Sequence, residues 1–362
     1  MSTRISEPVE KSKSEVFAEK MLGMINGAGV ALMTSIGHRT GLFDVMAGLP
    51  PSTPEQLAEA AGLKERYVRE WLGAMTTGGV VEHDPEANTF HLPPEHAAFL
   101  TRAAAPNNLA VTTQFISVLG AVEDRIVACF RHGGGVPYSA FARFHETMAE
   151  ESGQTVVAGL LDSILPLAPG LTEALREGVD VLDLGCGSGR ALNTLARAFP
   201  QSRFAGYDLS EEAVGNARRE AERLGLKNVR FEVRDVTRLG ESGRYDLVTA
   251  FDAIHDQAHP ALVLRGIAEA LRPGATFLMQ DIRGSRHVAK NMDHPVAPFL
   301  YTISAMHCMT VSLAAGGDGL GTMWGEETAV EMLAEAGFYN IEVRQLPHDI
   351  MNNYYVARKP TA

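Results

Sequence analysis

Between Val181 and Ala191 the chain reads VLDLGCGSGRA: an apolar run carrying Asp183, then Gly185, Gly187 and Gly189, then the start of a helix. Glycines at that place permit a tight turn and let a ligand approach the backbone at the mouth of a strand. A dinucleotide fingerprint, G-x-G-x-x-G, needs its third glycine where this chain has Arg190. The spacing here is G-x-G-x-G with an acid just before it. That arrangement suits a ligand with an ammonium group and no pyrophosphate.

Two further acids extend the pattern. Asp208 ends the run RFAGYDLS, where a carboxylate accepts hydrogen bonds from ribose hydroxyls. Asp235 ends VRFEVRDV, where a carboxylate can meet an adenine amino group. Each alone reads as a structural strand-end acid. All three in register with a glycine loop describe S-adenosylmethionine, so that ligand and its product S-adenosylhomocysteine are the expected cofactor pair.

Methyl transfer is an in-line displacement, and a hydroxyl or protonated amine acceptor must lose its proton to a base. FDAIHDQAHP puts His255 a few residues beyond a fourth strand, and imidazole suits a base near neutrality. Asp256 is adjacent, but neighbouring residues rarely face the same way; Asp281, ending a fifth strand in FLMQDI, is the better partner for His255. The plainer reading is that His255 packs or caps the following helix. A sulfur or carbon acceptor would need no such base. Residues 283–325 form a long insertion with Tyr301, Met306, His307 and Trp324, expected either to wall an acceptor pocket or to pack against the N-terminal helices. No metal is expected: His307 and Cys308 are adjacent and make poor co-ligands, and the three cysteines have no zinc spacing.

These residues need a parallel sheet to position them. Strands are expected at 179–184, 203–208, 229–233, 245–251 and 275–282, with helices at 191–199, 211–224 and 261–271 between them. Helix 328–336 and two closing strands near 341–344 and 354–358 follow. Strand–helix alternation of this kind predicts an α/β fold with helices on both sheet faces. Ahead of it, residues 14–47 are so apolar that their helices must be buried, in a core or against a second subunit. Ser52 or Thr53 before Pro54 predicts a helix ending at Gly62, and a second helix runs from Lys64 to Thr77 with Val68, Trp71, Leu72 and Met75 on one face. A hairpin around DPEAN completes the order of a winged helix. The expected divisions are 1–104, a helical linker and lid region 105–174, and 175–362.

The net charge of −12 disfavours a nucleic-acid partner, and the arginines at 66 and 69 on the second helix are interleaved with Glu65 and Glu70. A DNA-binding regulator that senses the cofactor is the alternative of another class. No run of about eighteen apolar residues is read along the chain, so no membrane span is expected. A polar start and three scattered cysteines suggest a cytoplasmic setting.

Residues 175–360 resemble class I (Rossmann-type) methyltransferases, with a seven-stranded sheet whose last two strands form an antiparallel hairpin. The whole chain is similar to bacterial small-molecule methyltransferases carrying an N-terminal winged-helix dimerisation domain. The resemblance implies a homodimer built through the N-terminal helices and a small-molecule acceptor. It implies that Asp183 and the three glycines hold the methionine moiety, Asp208 and Leu209 the ribose, and Asp235 and Val236 the adenine. Phe251 would lie beside the sulfonium. The chain departs from the related O-methyltransferases in having Gln257 where a Trp is usual, and their second acid is expected near Glu326 or Glu327.

Overall fold

A computed structural model describes residues 11–361, and the chain divides into two compact units after Ser117. In the first unit a long helix, Lys13–Thr40, opens on a capping box between Ser12 and Glu15 and ends at Gly41 in the left-handed conformation. Its second half buries Thr34, Ser35, Gly37 and His38, and Trp71 Nε1 donates to Met33 O at 2.8 Å. Helix Pro54–Ala61 starts on Thr53, whose hydroxyl and Gln56 form a second capping box, and stops at Gly62. Helix Glu65–Thr77 buries Val68, Trp71, Leu72 and Met75 as its spacing predicts. Strands β1 (Glu82–Asp84) and β2 (Thr89–His91) form the antiparallel wing. Arg66 and Arg69 pair with Glu70 and Glu65 along their own helix, which ties up the cations a phosphate backbone would need.

Of the two alternatives expected for the apolar helices, a core within the chain does not cover all of the long one. The apolar first half of the long helix is not buried: Val16, Phe17, Leu22 and Ile25 are 55–63% exposed. Leu42, Phe43, Leu57, Trp71 and Leu72 close the core of this unit against the helix's second half, leaving the first half no surface of its own unit to cover it. By length and composition this helix and the segment Ala297–Ala314 are also apolar enough to cross a membrane, which reading the sequence as an unbroken apolar run had missed. The second of these is 44% buried within its unit, as a core helix is.

The second unit contains β3 (Asp180–Leu184), β4 (Arg203–Asp208), β5 (Val229–Val233), β6 (Tyr245–Phe251), β7 (Leu271–Ile282), β8 (Tyr339–Arg344) and β9 (Asn352–Arg358) in one sheet, ordered β5-β4-β3-β6-β7-β9-β8. The first five strands are parallel; β9 runs antiparallel to both β7 and β8. Side chains alternate between two cores with the strand period. Leu182, Tyr207, Val248, Phe277 and Tyr355 face the helices Pro260–Ala270 and Gly325–Glu335. Val181, Phe204, Leu247, Leu278 and Tyr354 face the helices Arg190–Ala198 and Glu211–Arg223. Residues 156–175 join this second core, so the stretch read as a linker is divided, its later part packing on the sheet. Order reverses between β3 and β6, and the crevice at their carboxyl ends is where such sheets bind ligands.

Candidate active site

The glycine turn leaves β3 at that crevice. Gly185 and Cys186 donate their backbone N–H groups to Tyr207 O at 2.9 and 3.1 Å, which folds the turn back onto β4. Gly185 has φ +67°, and a Cβ there would stand 2.5 Å from the Ala253 methyl; Gly187, at φ +51°, has nothing within 4 Å of that position. The first glycine is needed for packing and the second faces open space, as a ligand cradle requires.

The three acids lie at or just past the carboxyl ends of β3, β4 and β5. Asp208 accepts Gly187 N at 2.9 Å on one oxygen and Ser210 N at 2.8 Å on the other. Asp235 is exposed and caps its own turn, accepting Thr237 N and Oγ1 at 2.9 and 2.6 Å. Asp183 is 3% exposed and accepts the Thr249 hydroxyl at 2.7 Å. Burial pushes its carboxyl up to about 7; the Thr249 bond opposes this and the Asp208 charge adds to it. A buried acid whose charged neighbour is another acid is set to receive a cation. S-Adenosylmethionine fits the chemistry of these residues: Asp183 would hold its ammonium group and Asp208 its ribose, beside the open side of Gly187. Of the other residues expected around it, Leu209 is 62% exposed beside Asp208 and Phe251 is half-buried at the end of β6. The Val236 side chain is buried in the core that faces helix Pro260–Ala270.

Beyond β6 the chain turns at Asp252, whose φ of +53° is unusual for a residue with a side chain. This turn swings His255 back under the end of β7. Its ring donates from Nδ1 to Asp281 Oδ1 at 2.8 Å, as expected, and Asp252 Oδ1 stands 3.8 Å from the same nitrogen. Both His255 and Asp281 are buried, and the N-cap of the following helix is His259, so His255 does not cap it, while a packing role is compatible with this burial. Burial disfavours the charged ring, but Asp281 outweighs it and, with Cys308, holds the imidazole well above its usual value. Asp252 is pushed up by burial to about 6, and Asp256 to about 7. Asp256 thus does belong to the same charged cluster, although it does not bond the ring.

Asp252, His255 and Asp281 bring ligand atoms within 4.8 Å of one another, the spacing of a metal site. Asp281 Oδ1, however, already accepts His255 Nδ1, Trp324 Nε1 at 3.0 Å and Ile282 N at 2.8 Å. An oxygen ringed by three N–H donors is held in one orientation against the imidazole.

The insertion after β7 is less of a pocket wall than its composition suggests. Trp324 is 3% exposed and spends its indole N–H on Asp281, because the turn Thr322–Trp324 sits between Gly321 and Gly325, both at positive φ, and tucks the ring under the sheet end. Tyr301 accepts Asn291 Nδ2 at 2.8 Å. Residues 304–308 form a π-helical turn, which buries His307 and Cys308 together although they are adjacent. His307 stacks on Phe144 with centroids 3.5 Å apart, and Tyr138 and Phe141 meet its edge. Burial holds its imidazole well below the usual value. Met306 is half-buried. Neither Glu326 nor Glu327 meets His255: the first accepts Asn353 and the second Ser285 and Lys290. The glycine-rich stretch is a strap, with Gly317 so close to Ala258 that a Cβ would stand 2.4 Å from its Cα. Sequence reasoning missed Asp252, Thr249, Tyr138 and the Trp324 contact; of these only Thr249, polar inside an apolar strand, carried a local signal.

Comparison with known proteins bears on this arrangement. Residues 28–102 match the Rv2258c-like winged HTH domain family, and residues 175–337 match a methyltransferase domain family. A fatty-acid O-methyltransferase from Mycolicibacterium smegmatis is 32% identical over 30% of this chain and 38% of its own length. A trans-aconitate 2-methyltransferase from Deinococcus radiodurans is 36% identical over 33% of this chain and 41% of its own length. The chain thus spans less than half the length of these curated relatives. Solved structures match over far more: human N-acetylserotonin methyltransferase in complex with SAM has a TM-score of 0.70 at 15% identity, covering 98% of this chain and 100% of that one. The mitomycin 7-O-methyltransferase structure has a TM-score of 0.66 at 18% identity, covering 95% and 99%. At such identities the likeness is one of fold.

Proposed function

We infer that this chain, which carries a class I methyltransferase domain behind a winged-helix domain, transfers the methyl group of S-adenosylmethionine to a small-molecule oxygen or nitrogen acceptor. The observation that carries this reading is buried Asp183 beside Asp208, whose carboxylate holds Gly187 N, at the strand ends by the sheet's switch point. When bound, the cofactor supplies an electrophilic methyl on a sulfonium. The protein's part is to hold and to deprotonate. Asp183 pairs with the ligand's ammonium, and the turn on Asp208 keeps the cradle in shape. His255, held by Asp281, takes the acceptor's proton on the nitrogen that Asp281 leaves free. Burial of the dyad keeps water from competing with the acceptor.

A second copy of the chain is the occupant we assign to the exposed apolar half of helix Lys13–Thr40, which makes the protein a homodimer. The arginine–glutamate pairs of helix Glu65–Thr77 argue for that role of the winged helix over DNA binding. Cys129, Cys186 and Cys308 are free thiols, the state a reducing compartment maintains. The reading is tested by methyl release from labelled cofactor across phenols, amines, carboxylates and thiols, with His255→Ala in parallel. Turnover of a thiol or thioether at an unchanged rate in that variant would favour the sulfur reading instead.

A further inference from the structure

His255 and Asp281 are gripped by a single short segment. Gly321 N donates to the backbone carbonyl of His255 at 3.1 Å, and three residues on, Trp324 Nε1 donates to Asp281 Oδ1 at 3.0 Å. The segment is itself pinned: Thr322 Oγ1 donates to Leu300 O at 2.9 Å, and Glu326 N to Gly284 O at 3.0 Å. Gly325 lies so close beneath the strand end that a Cβ would stand 2.2 Å from Arg286 N. The indole therefore has little freedom, and the oxygen it meets is the one that meets His255 Nδ1 at 2.8 Å. Asp281 Oδ2 is buried without a hydrogen-bond partner, so the orientation of this carboxylate rests on the donors gathered at Oδ1.

We propose that Trp324 is a positioning residue for methyl transfer: its indole N–H fixes Asp281, and Asp281 fixes the ring of His255. The proposal rests on the reading of His255 as the base. An indole N–H shares the negative charge of the oxygen it binds, so it also moderates how strongly Asp281 attracts the imidazolium form. The other charged or titratable groups around His255 are Asp252 and Asp256 from its own loop, and Cys308 and His307 from the insertion.

The test is Trp324→Phe in the full-length protein, which keeps a ring in the site and removes the donor. Expected are a kcat lowered about tenfold to a hundredfold, an unchanged affinity for S-adenosylmethionine, and an acid limb of the pH–rate profile moved to higher pH. In a His255→Ala background the same change should have no further effect on rate. With only two tryptophans in the chain, fluorotryptophan substitution gives a second probe that preserves the fold. A more acidic indole N–H should move the acid limb to lower pH, the opposite direction, which a purely space-filling ring would not do. Nitrogen-15 signals of His255 read the positioning without turnover. Should they titrate differently in Trp324→Phe while His255→Ala retains full rate, the positioning stands and the base assignment fails. Wild-type imidazole signals and a wild-type pH profile in Trp324→Phe would overturn the proposal.

Discussion

Gly187 donates its backbone N–H to Asp208 Oδ2 at 2.9 Å, so the glycine turn after β3 and the acid ending β4 form one device. The carboxylate proposed to receive a ribose also shapes the turn beside it.

Asp208→Ala should therefore weaken S-adenosylmethionine binding more than loss of a ribose contact alone. We expect affinity to fall by more than about a hundredfold, beyond the effect of removing one charge-assisted hydrogen bond, with a modest fall in the thermal midpoint as Gly187 N and Ser210 N lose their acceptor. Calorimetry beside a thermal melt reads both; an unchanged dissociation constant contradicts the assignment.

Cofactor affinity should depend on pH through Asp183, whose carboxyl is pushed by burial up to about 7. The ligand's ammonium group favours the ionised form. Affinity should then be level above pH 7 and fall about tenfold for each unit below it. Asp183→Asn should remove this slope. Binding that is flat between pH 5.5 and 8 in the wild-type protein would contradict the role.

His255→Ala should lower kcat about 10²- to 10⁴-fold on an oxygen or nitrogen acceptor and leave cofactor affinity intact. A base must be neutral, and Asp281 holds this ring's value well above the usual one despite burial. The rate should therefore climb with pH past neutrality instead of levelling near pH 6.5. A rate already level at pH 6 would count against His255 as the base.

Much of this was legible because the parallel strands announce themselves. Each is a short apolar run ended by an acid or a glycine, and Arg203–Asp208 and Val229–Val233 form over the expected residues. The acids proposed to hold the cofactor follow from that register, since a strand of known end places its last carboxylate at the crevice. What stayed hidden depended on distant partners. Nothing near Trp324 says that its N–H meets Asp281, since the contact arises from two glycine turns at Gly321 and Gly325. The burial of His307 beside Cys308 required a π turn, which hydrophobic spacing does not encode. For the exposed half of helix Lys13–Thr40 the sequence left core and second subunit open, because periodicity reports that a face wants covering, not what covers it.

That helix supplies a prediction of its own. Replacing Leu22 and Ile25, which are 61% and 63% exposed, by Asp should turn a dimer into monomers with no loss of fold. Sedimentation velocity at micromolar concentration distinguishes the two. A monomeric wild-type protein, or a double variant that stays dimeric, contradicts the assignment of this face.

The most direct test of the account is calorimetric titration of the intact protein with S-adenosylmethionine, S-adenosylhomocysteine and NAD. The account predicts one site per chain for each of the first two ligands and no heat from the third. Uptake of NAD, or silence toward both adenosyl ligands, would contradict the cofactor site on which every other assignment stands.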